Sequence, residues 1–180
     1  MEKKIVAVDS QKLDAMQSCA YLYDTKFNRH LVSINTPIYL ERGGLIHDML
    51  TLYYNCRKYR GRWRQNNKSH IDIVRAAIVA GRHIANKMKL DISEVEETVN
   101  VFMQYTDHWE NDGWDNILGV ENVGAKILYD SDDLTILYEV KIDLILKIGN
   151  MIIPVDHKHS SSRRNPNEMA NQFKGYCWFL

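Results

Sequence analysis

The chain has 180 residues, a mass of 21.1 kDa and 45% hydrophobic residues, enough for one domain with a core, so disorder over the whole chain is excluded. Its 23 Lys and Arg balance 23 Asp and Glu, so a polyanion partner would have to meet a local basic patch. No apolar run reaches the roughly 18–20 residues of a membrane-spanning helix, and the first residues lack a signal peptide's apolar region, which favours a soluble protein that is not secreted.

Cysteine usage and the absence of repeats bear on compartment and domain number. The three cysteines are widely separated and form neither a disulfide framework nor a CxxC metal motif, which favours a reducing, intracellular compartment. They are Cys19, Cys56 and Cys177. There is no internal repeat and no low-complexity linker, so we expect a single domain over residues 1–180.

Helices are predicted over most of the first two thirds of the chain. The segment from Glu41 to Tyr59 is expected to be helical, although two consecutive glycines weaken its first turn. Apolar residues over 70–88 follow the 3.6-residue period of a helix. Ser69 is placed to cap that helix, with Asp72 three residues later, so its start is well defined by the sequence.

A third helix is predicted to begin at Ser93. Ser93 would be its N-cap, with Glu96 at the capping-box position. Its apolar side would carry Val95, Val99, Phe102 and Trp109. The helical region therefore extends over about residues 37–117.

From Leu118 onward the pattern becomes that of β-strands. Strands are predicted over about 119–129, 134–148 and 151–158, and the short breaks between them favour antiparallel neighbours. In the second strand one face is apolar and the other is largely charged and includes Asp143. The apolar face carries Val140, Ile142, Leu144 and Leu146.

The last segment, about Pro166 to Leu180, is predicted to be helical. It ends on an apolar run with no cap and no polar tail, which is typical of an interrupted chain. Together the elements predict an α/β protein of the α+β class, with a β-rich part over about 118–180.

Two acids and a lysine form the candidate catalytic group. Asp156 and Lys158 end the last predicted strand, and the two-residue period places both on one face. Asp143 lies on the preceding strand, close enough in register to converge on Asp156. Converging carboxylates repel each other, and a divalent cation with oxygen ligands relieves that repulsion. Lys158 could position or deprotonate a water, or stabilise charge on a phosphate. An exposed surface ion pair would have the same spacing.

Four motifs in one order resemble the PD-(D/E)XK nuclease superfamily, in particular its RecB-like exonuclease branch. They are Gly43–His47, Lys141-Ile142-Asp143, Val155-Asp156-His157-Lys158 and Gln172–Tyr176. Gly119-Val120-Glu121 also resembles the acidic start of the branch's first core strand. The resemblance implies a restriction-endonuclease-like core, with a short mixed or antiparallel sheet flanked by helices and a helical region at the N-terminal side. Relatives continue into at least one further strand, so we expect a chain truncated at its C-terminus.

The resemblance also assigns roles residue by residue. Mg²⁺ or Mn²⁺ would be bound by the side chains of Asp143, Asp156 and His47. His157 would contact the metal through its backbone carbonyl only. Lys158 would be the catalytic lysine, acting with Asp156 and Asp143. The substrate strand would be positioned by Gln172 and Tyr176, which share a helix face as residues i and i+4. A nitrogen ligand favours Mn²⁺ over Mg²⁺.

Further candidates lie outside these motifs. Arg163 and Arg164, after three serines, suit a loop that contacts phosphate; the alternative is a flexible loop. Basic residues interleaved with Tyr59 and Trp63 suit single-stranded nucleic acid; the alternative is a solvated face. Some members of the branch hold an iron–sulfur cluster, but the distal cysteines are missing here, so we do not expect one.

The sequence thus predicts a Mg²⁺- or Mn²⁺-dependent deoxyribonuclease, expected to be an exonuclease. The resemblance alone suggests a role in DNA recombination or repair and a viral or mobile-element origin. Two alternatives remain: a catalytically inactive subunit of the same fold that binds nucleic acid or serves assembly, and a helical interaction module without chemistry. Single-stranded and double-stranded DNA both remain open as the partner, a membrane is not expected, and the oligomeric state is not predicted.

Overall fold

Helices and one mixed four-stranded sheet make up this α+β protein, as the sequence predicts. The computed structural model describes residues 3–31, 38–60, 69–110, 116–158 and 170–180. Its strands are β1 (Lys4–Val8), β2 (Ile117–Asp130), β3 (Leu134–Ile148) and β4 (Met151–Val155). Its helices are α1 (Ser10–Ser18), α2 (Ala20–Tyr23), α3 (Ile38–Arg60), α4 (His70–Met88), α5 (Ile92–His108) and α6 (Ala170–Phe179), with a π-helical turn at Asp24–Asn28.

The residues group into two compact units. The terminal unit comprises Met1–Asn35, Asn122–Ile142 and Ser162–Leu180, and the central unit comprises Thr36–Glu121 and Asp143–Ser161. Both β2 and β3 contribute residues to each unit. The expectation of a single domain over 1–180 stays a prediction.

In the terminal unit, β1 pairs in parallel with the first part of β3, from Lys4 with Leu134 to Val8 with Tyr138. β1 was not predicted because it has only five residues, close to the N-terminus. Buried Gly175 of α6 allows a close approach, since a Cβ there would collide with the Tyr138 hydroxyl. The side chain of Tyr138 also contacts Trp178 edge to face.

In the central unit, α3 is the most deeply buried helix. Its residues at spacings of four form two buried rows, which pack among residues of α4, α5 and the strands. The rows are Leu45, Met49 and Tyr53, and Ile46, Leu50 and Tyr54. At the surface, Arg42 of α3 forms ion pairs with Glu94 and Glu97 of α5. This packing fixes the helix that carries the candidate ligand His47.

The helix predictions are largely confirmed, with one wrong N-cap. Helix α4 begins with the predicted capping box between Ser69 and Asp72. Helix α5 is capped instead by Asp91, whose carboxylate accepts from the Ser93 backbone N–H, so Ser93 lies inside the helix. Asp91 takes the N-cap position in place of Ser93 because its negative charge interacts favourably with the helix N-terminus. No helix of the described part of the chain is both long enough and apolar enough to cross a membrane.

The predicted bounds of β3 are confirmed, whereas β4 is shorter than predicted. β4 ends at Val155 and pairs antiparallel with β3, so Asp156 and Lys158 follow the strand and do not belong to it. On the charged face of β3, Glu139 and Lys141 are exposed, whereas Asp143 is only 8% exposed. Its burial follows from helix packing over this end of the strand, which the two-residue period alone cannot reveal.

Two glycines provide a stability test of the helical packing. Gly44 is exposed, and a Cβ there would meet nothing within 4 Å among the described residues, so Gly44→Ala should stabilise the protein by about 1 kcal/mol through helix propensity. In Gly81→Ala, by contrast, the Cβ would lie 2.6 Å from Met49 Cγ, so this variant should destabilise by about 1–3 kcal/mol. Urea denaturation of both variants would measure this; equal shifts would contradict the α3–α4 packing.

Candidate metal centre

Helix α3 and strand β3 supply the first two members of the candidate site. His47 lies in the third turn of α3, one turn before Thr51, whose hydroxyl donates to the His47 carbonyl oxygen at 2.7 Å. Asp143 lies on β3, and its Oδ2 accepts the backbone N–H of His157 at 2.7 Å. His47 Nδ1 is 3.6 Å from the same Asp143 oxygen. An imidazole nitrogen and a buried carboxylate thus face each other.

Glu121 of β2 is the third member, and its backbone is unusual. Its φ is +50°, a left-handed conformation that a non-glycine residue rarely adopts within a strand. Glu121 Oε1 lies 3.9 Å from His47 Nδ1 and 3.3 Å from Thr51 Oγ1. Such backbone outliers cost of order 1–3 kcal/mol and concentrate at functional sites. The local strain is therefore consistent with a side chain held for a purpose other than stability.

His47, Glu121 and Asp143 form the candidate metal group. Each offers one ligand atom, and the three atoms lie within 4.8 Å of one another. All three belong to the central unit. One nitrogen and two carboxylate oxygens suit a divalent cation, and the imidazole favours Mn²⁺ over Mg²⁺. The sequence analysis noted Glu121 only as an acidic strand start; its place after Gly119-Val120 was the available signal.

The carboxyl of Asp143 has a pKa raised above its ordinary value. Burial is the main cause, and the negative charges of Asp156 and Glu121 raise it further, while the His157 N–H and His47 act in the opposite direction. Ionising two acids in a desolvated site has a high free-energy cost unless a positive charge lies nearby. The donor set therefore fits a bound cation.

Asp156 and Lys158 form an ion pair next to this group. Lys158 Nζ lies 2.8 Å from Oδ2 and 3.0 Å from Oδ1 of Asp156, whose side chain is 2% exposed against 42% for that of Lys158. The paired register ends with Leu144 and Val155, one residue short of Asp143 and Asp156, and the charge of Asp156 acts on the carboxyl of Asp143. Asp156 is not part of the three-residue group, and its role as a metal ligand stays a prediction.

The side chain of His157 is buried, whereas the sequence favours a solvated histidine at this position. Its ring stacks on Tyr54 at 5.6 Å between centroids and meets Tyr105 edge to face at 5.7 Å. The hydroxyls of Tyr54 and Tyr105 share a hydrogen bond at 2.7 Å. Burial lowers the pKa of His157 from 6.5 to about 4, and the positive charge of a protonated His47 adds to this effect. At neutral pH His157 is therefore uncharged.

The predicted substrate-binding residues lie in the terminal unit or outside the described residues. Gln172 Nε2 donates to the Tyr176 hydroxyl at 2.5 Å, so the two share a face of α6 as expected. The Tyr176 hydroxyl in turn donates to the Lys141 carbonyl at 2.9 Å, and Tyr176 is 3% exposed. Tyr176 thus anchors α6 to β3. Arg163 and Arg164 lie outside the described residues, and all four substrate roles stay predictions.

Comparisons of the chain with known protein families, with curated proteins and with solved structures find no match.

The lowered pKa of His157 predicts a pH dependence of stability. Because the unfolded chain takes up this proton near pH 6.5 and the folded protein only near pH 4, the free energy of unfolding should fall as pH drops between these values. The contribution of His157 to this loss should approach about 3 kcal/mol, while the raised pKa of Asp143 acts in the opposite direction. Urea denaturation in EDTA from pH 4 to 7 would measure it. His157→Phe should flatten the slope, whereas His83→Gln, which replaces an exposed histidine of α4, should not; equal slopes in all three proteins would contradict it.

Proposed function

We propose that this protein is a metal-dependent DNA nuclease that hydrolyses phosphodiester bonds. The observation that carries the proposal is the convergence of His47, Glu121 and Asp143 within 4.8 Å, with the Asp156–Lys158 ion pair following in register. The resemblance of the motifs to RecB-like exonucleases supports the same chemistry. It is also the only support for DNA as substrate, for exonuclease action and for a role in recombination or repair.

The three-residue group would hold the cation. His47 contributes a neutral nitrogen, while Glu121 and Asp143 contribute charged oxygens that the ion would neutralise. A bound Mg²⁺ or Mn²⁺ supplies Lewis-acid stabilisation of the scissile phosphate and lowers the pKa of water. The N–H of His157 holds the Asp143 carboxylate in place, and Thr51 lies within hydrogen-bonding distance of Glu121.

Lys158 is the residue best placed to act on the phosphate. Its ammonium is partly exposed, and the buried carboxylate of Asp156 fixes its position. A fixed positive charge stabilises the charge that develops on a phosphate during hydrolysis and needs no reorganisation at that moment. In this mechanism the main role of Asp156 is to position Lys158.

Cleavage of end-labelled single- and double-stranded DNA in Mn²⁺, Mg²⁺ or EDTA tests this function. Wild type should cleave only with metal, and Lys158→Met should reduce the rate by about 100-fold or more. Lys158→Arg keeps the charge and should retain part of the activity. Lys147→Met, which removes an exposed lysine from β3, should cleave like wild type.

Thermal unfolding of each variant checks folding, because Lys158→Met leaves the Asp156 carboxylate buried without its ion-pair partner. A folded wild type that is inert with both metals yet binds DNA would overturn the nuclease proposal and favour the inactive binding subunit. Full activity in folded Lys158→Met would show that Lys158 has no catalytic role.

A further inference from the structure

A cavity of about 270 Å³ adjoins the Asp156–Lys158 pair within the central unit. Helices α3 and α5 supply most of its apolar lining, and residues 155–158 supply one end. Ligand pockets for drug-sized molecules measure about 300–1,000 Å³, so this cavity suits one small planar group. Of its lining, the metal-dependent chemistry described above uses only Asp156 and Lys158.

Two aromatic side chains of the cavity lining are partly accessible. Tyr105 and Trp109 lie one turn apart at the end of α5, with ring centroids 6.5 Å apart and planes inclined at 50°. Phe102, on the same helix, is fully buried behind them. Aromatic faces of this kind stack on nucleobases with little dependence on sequence.

A buried nitrogen next to the cavity has no hydrogen-bond partner among the described residues. His157 lines the cavity and also a small pocket next to His47 and Asp143, and its buried Nε2 makes no hydrogen bond to any described residue. His157 is 8% exposed, and its ring is fixed by the contacts with Tyr54 and Tyr105. A buried polar atom of this kind is costly unless a ligand or water satisfies it.

The charges around the cavity favour a neutral occupant. Asp156 and Lys158 neutralise each other, so the lining has no net charge from this pair to attract an ionic group. Lys158 is at once a cavity residue and the group we assign to the phosphate. A nucleotide could therefore place its base in the cavity while its phosphate lies near Lys158.

We propose that this cavity binds one unpaired nucleobase of the substrate strand, next to the phosphate that is cleaved. The inference rests on the proposed nuclease function and specifies its substrate as single-stranded DNA or a frayed end. A base inside a duplex is paired and stacked, and it would have to leave the stack to enter. Trp109 and Tyr105 are then specificity-determining residues.

Binding in EDTA, where no cleavage occurs, tests the inference. The probes are a fluorescein-labelled dT8 and an abasic eight-unit strand with the same phosphates. Wild type should bind dT8 at least about fivefold more tightly than the abasic strand, and Trp109→Ala should lose most of that preference. Met103→Ala, an exposed change on α5 outside the cavity lining, should keep it, and Trp109→Phe should retain part of it.

Equal affinity of wild type for the two strands would overturn the inference, as would an unchanged preference in folded Trp109→Ala. If Trp109→Ala does not fold, quenching of 2-aminopurine placed in the eight-mer reports stacking in the wild type, and absence of quenching overturns the inference. Metal-dependent cleavage without a base preference would overturn this inference alone, whereas a base preference without cleavage would overturn the nuclease function alone.

Discussion

The buried carboxylate of Asp143 is the group on which the candidate site depends. It is 8% exposed, accepts one backbone N–H and lies near two further acids, Glu121 and Asp156. Desolvation and like charge both oppose its ionisation, whereas a cation among His47, Glu121 and Asp143 would favour it. The hydrophobic packing of α3 imposes this situation, because the same helix that covers the strand end carries His47.

The backbone conformation of Glu121 is a second constraint that points in the same direction. A left-handed residue within a strand has a conformational cost, and glycine would avoid it. Glutamate at this position has that conformational cost, but it places a carboxylate near His47 and Thr51. Proteins retain strain of this kind where the rest of the fold determines the conformation, and the packing around α3 provides that support.

The sequence predicted the parts of the site that depend on local patterns. The short turn between β3 and β4 fixes the register, so the approach of Asp143 to Asp156 could be deduced from spacing. The burial of Asp143 could not be deduced, because it depends on how α3 packs. The inclusion of Glu121 could not be deduced either, because it depends on a φ value that composition does not encode. The aromatic contacts of His157 were missed for the same reason: its neighbours Tyr54 and Tyr105 are distant in sequence.

Calorimetric titration with Mn²⁺ at pH 7.5 tests the central claim most directly, because it measures the cation itself without requiring a substrate. The account predicts one binding site in the wild type, with affinity reduced at least about tenfold in Glu121→Gln and in Asp143→Asn. Glu139→Gln, an exposed change on β3, should bind like wild type. Unchanged Mn²⁺ affinity in the folded Glu121 and Asp143 variants would contradict the account.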